Sequence, residues 1–297
     1  MSTRIGVSVR SAYAVADPRL GARWMVERAA AARDAGLDSL FVGDHHLTGS
    51  PYYQNTPILG RLLAEWSATG RTAGALFLVP LWHPVLLAEQ VATLAALHDG
   101  PFVIQAALGA GRGQFAGMGV EQRERVRRFE RGLDVVRRLL AGEPVGGDEA
   151  DGGRIAPLPP EPVAVWIGAS AEPAIDRAAR LGDGWIASPH LLEDECARQL
   201  ARYRDGSAGG VASIRRDVHV GADDGDAARV ADPVIAAGYR GFPREALVVG
   251  GPQRVADVFA ALFEQGYDEI LVRHLADDQH EVLASFERLA EVRRLLG

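Results

Sequence analysis

Short apolar runs alternate along the chain with longer stretches in which apolar residues return every three or four positions. These are the marks of buried strands and of helices with one apolar face. Residues 4–9 predict a first strand, and residues 24–35 a helix closed by Gly36. Strands follow at 39–42, 73–78, 102–107, 163–167, 184–187, 214–220 and 269–273. Between them the 3.6-residue period predicts helices at 57–68, 84–97, about 123–141, 173–181, 192–204 and 255–265, with a closing helix at 279–296. Pro84 stands at the first turn of its helix, where a missing N–H costs nothing. Eight strands, each followed by a helix, in 297 residues predict an α/β fold of the (β/α)₈ TIM-barrel type. A doubly wound sheet is the rival and normally uses fewer strands per domain. Two stretches break the rhythm, about 143–162 and about 223–250. Because the alternation resumes after each, they read as loop excursions on one domain spanning 1–297.

Composition adds limits. The chain is 47% hydrophobic and 24% charged, as a globular enzyme is, and its net charge is −7. It has no lysine, so all 32 basic residues are arginines. No basic stripe is available for nucleic acid or an anionic membrane surface. The arginine-rich run at 123–141 reads as a solvated helix face. A single cysteine, Cys196, excludes an internal disulfide and any multi-cysteine metal site. With no leader-like h-region and no apolar run of spanning length, a soluble cytoplasmic protein is expected.

In a barrel of this kind, chemistry sits on the loops leaving the C-terminal ends of the strands. Gly43-Asp44-His45-His46 follows the second strand, where an acid beside histidines suits acid–base work or a metal. On extended backbone adjacent side chains point to opposite sides, so at most one histidine faces the axis. His83, His190 and His274 could complete a metal set, but no H-x-H or H-E-x-x-H spacing occurs. Residues 108–113 form a glycine-rich turn that is neither a dinucleotide fingerprint nor a P-loop. Gly168-Ala169-Ser170-Ala171 precedes a helix and offers free N–H groups and a favourable dipole to an anion.

In this order the segments resemble the bacterial luciferase-like monooxygenases, a family of flavin and deazaflavin oxidoreductases. The resemblance is carried by residues 36–46, by 78–84 with Ala88-Glu89-Gln90, by 102–111 with Gln114-Phe115, and by Val165-Trp166-Ile167-Gly168 with Asp183-Gly184-Trp185. It implies that His45 is the active-site histidine beside the reactive edge of the cofactor ring, with Asp44 or a neighbour fixing its tautomer. It implies that Ala75-Leu76 lies where many members carry a non-prolyl cis peptide behind the ring. It also implies that Gly168, Ala169, Ser170 and Ala171 anchor the cofactor phosphate and that Gln105 lies in the cofactor site. Pro101, Gln105 and Gln114 depart from the common pattern. Leu108 replaces the phosphate-gripping arginine of the luciferases and Ala107 their active-site cysteine, which argues against light emission; Arg112 is a candidate substitute.

The resemblance leads to an expected monooxygenase that takes reduced FMN from a separate flavin reductase and acts with dioxygen on a small organic substrate. Tyr52, Tyr53 and the region of Phe242 would shield the site from water. The alternative within the family is hydride transfer with the deazaflavin F420. Outside it stand a metal-dependent hydrolase using Asp44, His45 and His190, and a flavin-binding protein without catalysis. A homodimer is expected from family habit.

Overall fold

The structure, a computed structural model, describes residues 3–146 and 152–297. The expected excursion at 143–162 therefore lies partly outside the described residues. Nine strands form among the described residues: β1 (Arg4–Val9), β2 (Ser39–Val42), β3 (Thr72–Leu78), β4 (Phe102–Ala107), β5 (Ala164–Gly168), β6 (Gly184–Ala187), β7 (Val211–Val220), β8 (Val248–Gly250) and β9 (Glu269–His274). All pair in parallel in the order β6-β5-β4-β3-β2-β1-β9-β7, and β6 pairs again with β7. That second pairing, with Gly184 beside Val211 and Ala187 beside Ile214, closes an eight-stranded barrel. The TIM-barrel expectation is met. The ninth strand, β8, lies outside the ring, against the far end of β7 at Val218–Val220. The sequence pattern did not separate these three residues from the second excursion.

Helices α1 (Pro18–Asp34), α2 (Asn55–Trp66), α3 (Pro84–Ala96), α5 (Arg125–Leu140), α6 (Glu172–Leu181), α7 (Glu193–Gly206), α8 (Asp224–Ala236), α9 (Pro252–Gln265) and α10 (Gln279–Leu296) surround the ring, and a short α4 (Arg112–Gly117) follows β4. Their starts follow local chemistry. Asp17, Asp223 and Asp278 each accept an N–H from the first turn of α1, α8 and α10, while Pro18, Pro84 and Pro252 occupy the opening turn of α1, α3 and α9.

Two apolar layers hold the fold. The larger lies between strands and helices and includes Val7, Leu40, Ala75, Phe77, Ile104 and Ile167. The smaller fills the barrel interior with Phe41, Val103, Trp166 and Leu271. Strand alternation therefore tells which residues face the axis: Phe41, Val103 and Leu271 do, as do residues two positions on. Gly74 is required here, because a Cβ would run into the Val103 carbonyl and Phe41. At the floor of the barrel, Glu269 is buried beside Ser39, which hydrogen-bonds its carboxyl, with Arg4 3.5 Å away. Desolvation pushes the Glu269 carboxyl up to about 7. Among the described residues no helix is long and apolar enough to cross a membrane.

Candidate active site

At the end of β2, alternation divides Asp44 from His45. Asp44 turns behind the strand and is 5% exposed. One carboxylate oxygen accepts the Leu78 N–H and the Trp82 Nε1–H, both at 2.8 Å. Burial raises its pKa, against the pull of those two donors and of His46. The His46 ring stands 3.3 Å from the other oxygen, outside hydrogen-bond alignment. Asp44 thus ties the β2 end to the β3 loop and does not orient His45, contrary to the expectation. His45 faces the mouth, exposed, with the Tyr52 ring centre 6.0 Å from its own. Its carbonyl accepts from Gln54 at 3.1 Å, which holds the backbone and leaves the ring free. The same division takes apart the imagined metal set, since Asp44 and His45 lie on opposite faces and His190 packs against Phe242 at 5.7 Å.

Tyr52 is positioned by a small antiparallel clasp. Residue 52 bridges Ala12, the Tyr13 N–H donates to the Pro51 carbonyl at 3.1 Å, and the Tyr53 N–H to the Ser11 carbonyl at 2.9 Å. Gly43 leaves room for the phenol, because a Cβ there would lie 2.8 Å from its oxygen. Gln114, on α4, bolts the next loop down by accepting the His46 N–H at 3.0 Å and donating to the Ala110 carbonyl at 2.7 Å.

On the strands that follow β2 round the ring, β3, β4 and β5, Leu76, Gln105 and Trp166 stand side by side in register. Leu76 and Ala107 are half-buried apolar groups. Gln105 is 6% exposed, and its side-chain nitrogen has no partner among the described residues. A buried amide donor without an acceptor is costly unless a ligand supplies one. Apolar walls with one unsatisfied donor fit the polar edge of a flat heteroaromatic ring. Ala75 does not belong to that surface, since its side chain turns outward into the helix-facing core. Nor is the Ala75–Leu76 bond cis: both residues stay in regular register with Ile104 and Gln105, and the cis bond found among the described residues is Ala156–Pro157.

The turn at 168–171 is only partly as expected. The Ala169 N–H is taken by the Ile186 carbonyl at 3.3 Å, and the Ala169 carbonyl by Trp185 at 2.9 Å. Ser170 and Ala171 are exposed at the start of α6, where no side chain caps the helix. The free donors are therefore those of Ser170 and the residues after it. Arg112 is exposed on α4.

A group that the sequence reading missed gathers on the opposite wall. Arg215 and Asp217 share the axial face of β7, because Arg215 pairs with Leu271 and Asp217 with Arg273 on β9. The Arg215 guanidinium forks onto Asp217 at 2.8 and 3.3 Å, and the Tyr239 hydroxyl donates to the same carboxylate at 2.8 Å. Arg240, held at a positive φ of 50°, lies 5.2 Å over the Phe242 ring. Arg10, just past β1, pairs with Asp277. Burial, then repulsion from Arg273 and Arg240, lowers Arg215 to about 10 despite Asp217. Burial also pushes Tyr52 up to about 12, so it stays a neutral donor. The available signal was a run of three charges, Arg215-Arg216-Asp217, inside a strand.

A sequence profile described as luciferase-like monooxygenase matches residues 3–246. This chain belongs to the luciferase-like monooxygenase family. Within it, the chain is 29% identical over 216 residues to an F420-dependent glucose-6-phosphate dehydrogenase of Nakamurella multipartita. That match covers 67% of this chain and 62% of the relative, less than two thirds of the relative's length. A relative of the same description from Beutenbergia cavernae is 31% identical over 194 residues, covering 61% of this chain and 56% of that one. In fold, this luciferase-like chain resembles a monooxygenase from Streptomyces bottropensis, with a TM-score of 0.81 at 18% identity over 97% of this chain and 98% of that one. The family is one of flavin- and deazaflavin-dependent oxidoreductases.

Proposed function

We propose that this luciferase-like protein uses deazaflavin F420 to interconvert an alcohol and a carbonyl compound on a small organic substrate, with His45 as the proton-transfer residue. The observation that carries this reading is the free His45 imidazole, facing the same mouth as the unsatisfied Gln105 amide two strands away. Curated relatives described as F420-dependent support deazaflavin over the reduced FMN that the sequence reading favoured. Leu76, Gln105, Ala107 and Gly168 would receive the ring, and Ser170 and Ala171 its phosphate. Bound deazaflavin supplies two-electron hydride chemistry without activating oxygen. In the oxidising direction the carbinol C–H bond breaks, its electron pair leaves with the hydride, and His45 takes the hydroxyl proton as the C=O bond forms. Tyr52 and the clasped loop beneath it wall off water on one side of His45.

Anaerobic titration with F420 and with FMN tests the reading. Binding of F420, followed by loss of the oxidised deazaflavin absorbance when alcohols are supplied, is the expected result. Tight binding of reduced FMN alone, with oxygen consumed in the presence of a flavin reductase, would restore the monooxygenase instead.

A further inference from the structure

The arginines on β7, β9 and the loop at 239–241 have a balance of charge that the fold does not require. Asp217 is fully buried and already holds Arg215 and Tyr239. Arg10 has Asp277. Arg240 and Arg273 have no carboxylate or hydrogen-bond partner among the described residues, although Arg273 faces the axis beside Asp217. Two guanidinium groups without a partner, in a molecule of net charge −7, thus stand at the C-terminal end of the barrel beside the Arg215–Asp217 pair. Asp217 resembles an anchor more than a neutraliser. It fixes the fork of Arg215 and the hydroxyl of Tyr239, the residue next to Arg240 in sequence.

Position gives this centre a use. His45 follows β2, which is two strands from β9 round the ring, and the Tyr52 ring stands 6.0 Å from its own. The turn at Ser170 follows β5, which is three strands from β9 on the shorter way round the ring. Arg273 therefore stands apart from the turn assigned to the cofactor phosphate, while Arg240 lies over Phe242, which packs on His190 after β6. We infer that Arg273 and Arg240, braced by Arg215 and Asp217, bind an oxyanion group of the substrate, a carboxylate or a phosphate monoester, while the reacting carbon of the same molecule lies at His45. Guanidinium groups suit either, since their paired N–H donors match two oxygens. The inference rests on reading the barrel mouth as an active site, but not on which cofactor occupies it.

Calorimetric titration of the full chain with inorganic phosphate, and separately with malonate, at fixed ionic strength tests the site without turnover. Wild-type protein should bind at least one of them, and which one binds distinguishes phosphate from carboxylate. Arg273→Met and Arg240→Met should each weaken that binding roughly ten- to a hundredfold and leave F420 or FMN affinity unchanged. Arg240 is exposed, so its variant keeps the test open if Arg273→Met fails to fold. Absence of any anion binding by wild type, unchanged anion binding in the variants, or loss of cofactor affinity in Arg273→Met would each overturn the inference. Failure of the deazaflavin reading looks different: anion binding persists and depends on Arg273 while F420 does not bind.

Discussion

With Asp44 committed to the β3 loop, His45 works without a carboxylate behind it, and this sets what its removal should do. His45→Ala should lower turnover on the order of 10²–10⁴-fold, the usual range for a positioned acid or base, while cofactor affinity stays near that of the parent. Steady-state rates paired with a cofactor titration check both halves, and near-parental turnover would refute the assignment. Ser170→Ala should weaken cofactor binding by roughly tenfold, as expected for one hydrogen bond to a charged group. The deazaflavin without its phosphate gives the control, because the loss should appear only for the phosphorylated form. His45 was legible in the sequence because a polar run directly after a buried strand has few roles. Its relation to Asp44 was not, since neighbours on extended backbone share a sequence address but not a face. The arginines were harder still. In a chain whose 32 basic residues are all arginine, no single one draws notice, and only the β7–β9 register shows that Arg215, Asp217 and Arg273 meet.

Between elements, the mouth is assembled by a few polar ties. Asp44 joins β2 to the loop after β3, Gln114 joins that same β2 end to the loop after β4, and the Ala12–Tyr52 clasp joins the loops after β1 and β2. Asp44→Ala should leave the Leu78 N–H and the Trp82 indole without acceptors and cost about 2–4 kcal/mol. Urea unfolding measures that loss, and a shift of Trp82 emission in the folded state would report the loosened loop. Asp44→Asn keeps an acceptor oxygen and should lose less than half as much; equal losses would mean that the charge matters and the tie does not. Most regular strands and helices were readable here from their periods, but α8 lies inside the stretch read as the second excursion. The six residues of α4 and the three of β8 were not, since neither completes enough of a period to stand out from the turns beside it.

For the molecule as a whole, the floor of the barrel sets a pH dependence. Glu269 is moved from 4.5 to about 7 by burial, so the folded state holds a proton there that the unfolded chain has already released. Between pH ~4.5 and ~7 the native protein binds more protons than the unfolded one, and stability falls as pH rises through that window. A shift of this size corresponds to about 3 kcal/mol at most, in full above pH 7. Glu269→Gln should remove the penalty, raising Tm at pH 8 with little change at pH 4. Thermal melts across that range decide it, and a variant no more stable than the parent at pH 8 would contradict the account. The barrel itself was legible because eight βα alternations leave few ways to close. The buried acid was not, because Glu269 opens its strand like any surface glutamate.

The long strand β7 divides its length between two tasks. Its first part seals the ring between β6 and β9, and its last residues carry β8. The chain leaves the barrel at Gly221 and comes back at Gly250, and those two residues are themselves hydrogen-bonded, N–H to carbonyl, at 3.1 Å. Departure and return therefore share one point on the frame, and the segment between them, which bears Tyr239, Arg240 and Phe242, hangs from it like a cassette. Such a segment can be lengthened, shortened or exchanged for another without opening the ring. Descendants of this chain could thus change what they recognise by rewriting some thirty residues while inheriting the rest unchanged.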